Sequence, residues 1–386
     1  MRRKTLLVAC GAHALHDGYT DLIYVLLPVW RTEFALSYAA LGALRLVYTG
    51  AMAGLQVPAS SLAARFGARW VLALGTALAA AAYLAVGFSG AGFVALATAL
   101  AVGGAGSSTQ HPLASSLIAQ AYEHQGVRVA LGTYNFSGDL GKMAIPAALA
   151  WLMILMPWRS ALGLMGLLGL AAAAAILILL PAGHAPTAEA AAPGSDAAEN
   201  AAQRPRAFPL LLAIGVLDSG TRMGFLAFLP FILREKGATA PTVGLALTLV
   251  FAGGAVGKLA CGHLGTRIGL LRTVLLTEVA TAIGIALLDP LPLTAALACL
   301  AFIGVALNGT SSVLYGTVPE LVPPARRARA FGLFYTLTIG AGALAPALCG
   351  AFSDALGLHA MLPLIAAAVL LVVPLTWPLR GALAPD

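Results

Sequence analysis

Charged side chains are scarce in this sequence. Only 10% of its 386 residues are Asp, Glu, Lys or Arg and 60% are hydrophobic, whereas a soluble domain carries about 25% charge and about 45–50% apolar residues. That shortage excludes a soluble fold, which has no interior large enough for so much apolar surface. A bilayer can take it up, because a spanning helix needs about 20 mostly apolar residues and satisfies its backbone internally. Cysteine is scarce too: Cys10, Cys261, Cys299 and Cys349 lie far apart in apolar stretches. This spacing excludes a disulfide framework or a paired zinc motif and leaves helix packing as their role. No G-x-S-x-G, H-E-x-x-H or phosphate-cradling lysine loop occurs, so the chain lacks the constellation of an enzyme, and no catalytic residue or cofactor is expected. The net charge of +7 is spread over short loops rather than gathered in a patch, which argues against a nucleic-acid partner. The opening MRRK and apolar run resemble a signal peptide, but no small-residue cleavage site follows, so the run is read as the first span.

Apolar windows between charged or Pro/Gly punctuation predict an all-α polytopic membrane protein. Twelve spans are expected, at roughly 6–30, 39–63, 70–88, 92–122, 128–155, 158–180, 208–234, 240–264, 273–288, 293–322, 327–353 and 358–380. The 43 glycines suit such a fold, since small residues let membrane helices approach closely. Residues 181–207 form a long Ala/Pro/polar stretch, read as a cytoplasmic linker between an N-terminal six-helix bundle (1–180) and a C-terminal one (208–386). Basic loops set the orientation. With the N-terminus inside, Arg2, Arg3, Lys4, Arg65, Arg69, Arg128, Arg204, Arg206, Arg267, Arg272, Arg326, Arg327, Arg329 and Arg380 fall in the cytoplasm. Arg31, Arg159, Arg234 and Lys236 fall on the opposite face. Both termini are therefore expected on the cytoplasmic side of a bacterial-type inner membrane.

The chain also repeats itself. Ala130, Gly132, Pro146 and Ala147 match Ala330, Gly332, Pro346 and Ala347 at an offset of 200 residues. The loops Arg65-Phe66-Gly67-Ala68-Arg69 and Arg267-Ile268-Gly269-Leu270-Leu271-Arg272 lie about 202 residues apart. Two six-helix halves in parallel duplication, with a substrate site between them near the midplane, make up a known carrier architecture. On this reading Arg65, Gly67, Arg69, Arg267, Gly269 and Arg272 are gating-loop residues.

These loops resemble the major facilitator superfamily, whose loop between helices 2 and 3 usually reads G-x-x-x-D-R-x-G-R-R. Here Arg65, Gly67 and Arg69 remain, while Ser60 and Ala64 replace the first Gly and the Asp. The second copy keeps Gly262 but has Thr266 at the acidic position. Within the superfamily, roughly the first 115 residues look like the fosmidomycin resistance exporters. The stretches that carry this are His13-Ala-Leu-His16-Asp17, Pro28, Glu33-Phe34, Gln56-Val57-Pro58 and Gly103 through Gln110-His111-Pro112. The resemblance implies a facilitator fold that exports a small, often anionic drug by proton antiport; the chain is expected to be a monomer in a lipid bilayer, with protons and a small molecule as partners. Span 5 departs from those relatives by carrying Asp139 and Lys142.

An ionisable side chain at the bilayer centre costs about 2.5–3.5 kcal/mol on insertion scales, so it normally faces a partner or a wet cavity. In span 1, His13, Asp17 and Asp21 recur at i, i+4, i+8 and share one stripe, with His16 and Tyr24 close by. These, together with Asp218 in the repeat-related span 7, are the candidate proton carriers, since carboxylates and imidazoles can take up and release protons. Static ion pairing is the alternative for Asp17 and Asp21. Asp218 and Arg222, four apart, either neutralise each other or let an anionic substrate compete for the arginine. Candidate substrate contacts are Arg45, Tyr48 and Gln56 in span 2, His111 in span 4, Asn135, Asp139 and Lys142 in span 5, Arg222, and Asn308 and Tyr315 in span 10. Arginine offers a planar fork of donors to a carboxylate or phosphonate. Arg45 is placed to pair with Asp21 across a short loop, and Asp139 is placed to pair with Lys142. Pro112 interrupts span 4 beside His111 and can free backbone groups there. Lys258, His263 and Glu320 sit near cytoplasmic helix ends and read as gate or loop contacts, while Glu278 stands isolated in span 9 without a role.

The leading expectation is a proton-coupled exporter of a small anionic or amphiphilic solute. Proton symport of a small organic acid uses the same groups in reverse. Divalent-metal transport is a further alternative, because His13, His16 and Asp17 are suitable ligand types, although one short cluster does not assign a metal site.

Overall fold

A computed structural model describes residues 2–88, 92–122, 126–180, 207–323 and 326–379. All of the expected linker at 181–207 except Ala207, the side chain of Arg128, and Arg204, Arg206, Arg380 and both chain ends lie outside the described residues. Fifteen helices and no strand occupy the described part: α1 (Arg2–Phe34), α2 (Tyr38–Gly54), α3 (Gln56–Phe66), α4 (Ala68–Phe88), α5 (Gly92–Ser107), α6 (Gln110–Ala121), α7 (Val127–Leu155), α8 (Trp158–Leu179), α9 (Ala207–Glu235), α10 (Ala240–Ile268), α11 (Leu270–Leu288), α12 (Leu293–Leu321), α13 (Arg327–Leu356), α14 (Leu358–Leu370) and α15 (Val372–Thr376).

Three of the twelve expected spans are broken helices. Span 2 is α2 and α3, interrupted at Leu55; span 4 is α5 and α6, interrupted at Ser108-Thr109; span 12 is α14 and α15, interrupted at Leu371. The break in span 4 falls just before Gln110, so that Pro112 sits in the first turn of α6, where its missing N–H costs nothing. Among the described residues ten helices are long and apolar enough to cross a membrane. The two spans outside that count are α1, which carries Asp17 and Asp21 along with His13 and His16, and α2, which ends after 17 residues. Large apolar side chains such as Trp151, Ile154, Leu259 and Phe302 are exposed on helix surfaces, as suits a chain solvated by lipid.

The described residues gather into two compact units. The first holds those of 2–180 together with Ala238–Thr248, and the second holds those of 207–237 and 249–379. In the first unit α1 packs most extensively on α7, and α4 on α8 and α5. The second unit repeats this scheme with α9 on α13, and α11 on α12 and α14. Glycine makes the α1–α7 crossing close: a Cβ on Gly141 would overlap the backbone of Ala14, and one on Gly18 would overlap Ile145.

Two smaller features show the duplication in physical detail. Gly67 (φ 89°) and Gly269 (φ 86°) both take the positive-φ conformation that other residues rarely adopt, and each joins two helices of its unit. At the opposite helix ends, Glu33 pairs with Arg159 and accepts a hydrogen bond from Trp158 Nε1 at 2.5 Å. Glu235, 202 positions later, lies 2.7 Å from His359 Nε2. Each acid ties the end of its unit's first helix to the start of its sixth span.

Candidate functional site

The α1 stripe becomes a cluster once α6 and α7 pack on it. Asp17, near the middle of α1, is buried, and its two oxygens have different surroundings. Oδ2 lies 3.4 Å from Lys142 Nζ on α7. Oδ1 is approached by three imidazole nitrogens: His13 Nε2 at 3.4 Å, His16 Nε2 at 3.8 Å and His111 Nε2, on α6, at 3.9 Å. The His13 ring stacks on Tyr134 at 3.9 Å between centroids, and its Nδ1–H donates to the Tyr134 carbonyl at 2.7 Å. A carbonyl only accepts, so the proton on Nδ1 is fixed by its partner. Gly138 on α7 leaves room for this cluster, since a Cβ there would press on Asp17 Oδ2 and on the His13 ring.

One turn along α1, Asp21 lies 3.6 Å from Arg45 Nη2. The buried guanidinium also donates to the Thr20 carbonyl and to the Tyr24 hydroxyl, both at 3.0 Å. Tyr48 hydrogen-bonds Ser107 at 2.8 Å, and Tyr83 donates to the Tyr19 carbonyl at 2.5 Å. Arg45 is therefore held from several sides by its own unit. A small recess lined by His16, Ser107, Thr109 and Gln110 opens beside the cluster.

The second unit builds a different set. Arg222 on α9 lies 3.7 Å from Asp218 and donates to Ser311 Oγ on α12 at 3.1 Å. Glu278 on α11, 2% exposed, stands beside Asp218, and its Oε1 is buried with no hydrogen-bond partner. Two ionised carboxylates side by side in an apolar surround repel, so a shared proton is what lets both stay buried. Thr310 donates to Thr277 at 2.7 Å beside this pair.

Not every candidate joins these sets. Asn135 is exposed, and Tyr315, 41% exposed, packs its ring with Phe331 and Tyr335. Gln56 is half-buried at the start of α3, and Asn308 is buried with its amide turned back to the Gly304 carbonyl at 3.3 Å. Asp139 is half-buried on α7, and Lys142 has Asp17 at 3.4 Å. Of the loop residues, Arg69 donates to the Leu180 carbonyl at 3.4 Å and Arg65 lies over Phe66. Arg267 and Arg272 are both exposed, at the end of α10 and the start of α11. Sequence reasoning missed Tyr134 and Gly138 and left Glu278 without a partner. A signal for the first two was present, since Tyr134, Gly138 and Lys142 stand at i, i+4, i+8 on α7, the spacing of the α1 stripe they meet. Glu278 offered only the fact of an acid in an apolar span.

The comparisons with known proteins agree with this architecture. A family model described as Major Facilitator Superfamily matches residues 9–217 and 210–385. Among solved structures, a bacterial homologue of the human lysosomal transporter Spinster superposes with a TM-score of 0.80 at 17% identity, covering 100% of this chain and 99% of that one. The nucleoside transporter NupG superposes with a TM-score of 0.76 at 14% identity, covering 99% of this chain and 98% of that one. At such identity the likeness shows the fold alone. A search of curated proteins returns no match.

Proposed function

Because the chain belongs to the major facilitator superfamily, and is thus a multi-pass secondary transporter of a solute and not an enzyme, we propose that it couples a small organic anion to protons through Asp17 and Lys142. The observation that carries this reading is the buried carboxylate with an ammonium 3.4 Å from one oxygen. Protonation of Asp17 removes the charge that holds Lys142 and frees the ammonium for an anionic substrate. Loss of the proton draws Lys142 back and expels the anion. The imidazoles of His13, His16 and His111 stand where they can pass the proton to Asp17 Oδ1. In the second unit Arg222, held by Asp218, is the planar anion-binding fork.

The sign of this linkage matters. Proton and anion favour each other's binding, which supports symport of a small organic acid across an inner membrane, with both termini in the cytoplasm. Export by antiport is the second reading, favoured by the resemblance of the first 115 or so residues to the fosmidomycin exporters. There an amphiphilic substrate bearing a donor or cationic group takes the proton's place on Asp17.

The test uses the full chain in proteoliposomes, with a labelled phosphonate or carboxylate chosen by thermal-shift screening. An imposed pH gradient is expected to drive the anion in the same direction as the protons. Asp17→Asn is expected to keep substrate counterflow while losing the response to the gradient by about 100-fold or more, the scale that a positioned proton carrier contributes. Gradient-driven transport that persists in Asp17→Asn would falsify the coupling role, and drive in the opposite direction selects antiport.

A further inference from the structure

A bare nitrogen facing a carboxylate oxygen is an unusual arrangement to find buried. His13 Nδ1–H is committed to the Tyr134 carbonyl at 2.7 Å, so in the neutral ring Nε2 carries a lone pair. That atom is buried with no hydrogen-bond partner and lies 3.4 Å from Asp17 Oδ1. Two electron-rich atoms at this range repel unless something positive lies between them, and 3.4 Å is long for a charge-assisted hydrogen bond, which spans about 2.7–2.9 Å. The Nε2 atoms of His16 and His111 close on the same oxygen at 3.8 and 3.9 Å.

We propose that His13 Nε2, His111 Nε2 and Asp17 Oδ1, with a water at the fourth corner, form a binding site for a borderline divalent cation of the zinc class. Ligands about 2.0–2.2 Å from a tetrahedral ion stand about 3.3–3.6 Å from one another. The His13–Asp17 separation already has that value, the His111–Asp17 separation of 3.9 Å needs only a few tenths of an ångström, and the two imidazoles close on each other as the half-exposed His111 ring swings in. The ligand atoms of His13, Asp17 and His111 all lie within 4.8 Å of one another. The carbonyl that takes the Nδ1 proton of His13 acts as a metal-bound histidine's second partner does, fixing the tautomer and the ring. Lys142 on Oδ2 orients the carboxylate from its other side. Two imidazoles and one carboxylate suit zinc, cobalt or nickel and not magnesium or calcium, which prefer oxygen-only ligand sets. A cation bound here occupies the atoms that would carry a coupled proton, so it competes with protons for the site.

Lys142 also makes a quantitative demand. An ammonium on the far oxygen of a ligating carboxylate repels the bound ion, so removing its charge strengthens binding. A second histidine also has to be silenced. Exposed His359 lies 2.7 Å from Glu235 and 2.6 Å from Asp289, and this surface group offers a competing place for zinc. The parent for the measurement is therefore the full-length His359→Ala protein, purified in detergent and titrated with Zn²⁺ or Co²⁺, with Mg²⁺ as the control.

Zinc is expected to raise the melting temperature and to bind one ion per chain, Co²⁺ to show the absorption of a tetrahedral nitrogen/oxygen site, and Mg²⁺ to do neither. Adding His13→Ala or His111→Ala is expected to weaken zinc binding at least tenfold, while Lys142→Gln strengthens it by about tenfold. If His13→Ala does not fold, His111→Ala decides, because the His111 side chain is 43% exposed and its loss disturbs packing least. Zinc affinity unchanged by both histidine substitutions, or no stronger than that for Mg²⁺, overturns the proposal. Binding is read with no gradient and no substrate, so its failure leaves the coupling role of Asp17 standing, and the failure of that role leaves the cation site standing.

Discussion

The two units bury opposite kinds of charge imbalance on the same scaffold. In the first, one carboxylate, Asp17, is met by three imidazoles and a lysine within 3.9 Å. In the second, two buried carboxyls, Asp218 and Glu278, stand side by side with Arg222, 3.7 Å from Asp218, as their counter-charge. The first set has spare basic atoms and can accept a proton or a metal ion. The second has a spare acid, and because two ionised carboxylates side by side repel, a proton on one of them is what lets both stay buried. Duplication of the fold has thus kept the helix packing and the positive-φ glycines while letting the buried chemistry diverge.

The largest expected effect comes from deleting the cation of each set. Arg222→Met leaves Asp218 and Glu278 without a counter-charge and is expected to cost on the order of 3–5 kcal/mol, the scale of a broken buried pair. Lys142→Met leaves Asp17 surrounded by imidazoles that can take a proton in its place, and its side chain is already 30% exposed, so a cost of about 1 kcal/mol or less is expected. Unfolding titrations of both variants in mixed detergent measure the difference. Equal costs would show that the second set is not short of positive charge.

A smaller effect separates a proton from a packing contact in the acid pair. Glu278→Gln still offers a donor to Asp218, so stability within about 1 kcal/mol of the parent is expected. Glu278→Leu removes the donor and leaves a buried carboxylate short of a partner, at about 1–3 kcal/mol. If the glutamine variant is as unstable as the leucine one, Glu278 is not the donor and the pairing is drawn the wrong way round.

Much of this architecture could be read from the residues. The helix pattern, the repeat offset and the paired Gly67 and Gly269 loops were visible because lipid enforces composition over whole spans and a turn enforces its glycine locally. The α1 stripe was equally legible, since i, i+4, i+8 spacing is a property of one helix. What was not legible lies between helices. The spacing offers Lys142 an acid three residues away in Asp139 but gives no sign of Asp17, 125 positions earlier, which lies 3.4 Å from its ammonium. Nothing in a single span tells which helix will press against it, and the crossing that brings them together depends on Gly18 and Gly141. Glu278 stayed silent for the same reason: its partner Asp218 lies on another helix of its unit. The breaks at Leu55 and Leu371 carry no Gly or Pro at the break itself, so they left no local mark.

The smallest expected effect tests whether the first set extends beyond Asp17 into the hydroxyl network around Arg45. Tyr48 is fully buried and its hydroxyl has Ser107 at 2.8 Å and, more distantly, Thr20 at 3.4 Å. Its ring lies 5.9 Å from the Arg45 guanidinium carbon, at the far edge of a cation–π contact. Tyr48→Phe keeps the ring and deletes only the hydroxyl, so a loss of about 0.5–1.5 kcal/mol is expected, the net value of one hydrogen bond. Ser107→Ala deletes the other end of the same bond, and if the two groups serve only each other, the double variant costs less than the sum of the singles. Simple additivity would mean that Tyr48 and Ser107 each answer to a different partner. The Tyr48 hydroxyl would then belong to the Thr20 side of the network, next to the carbonyl that holds Arg45, and the two buried sets of the first unit would be one.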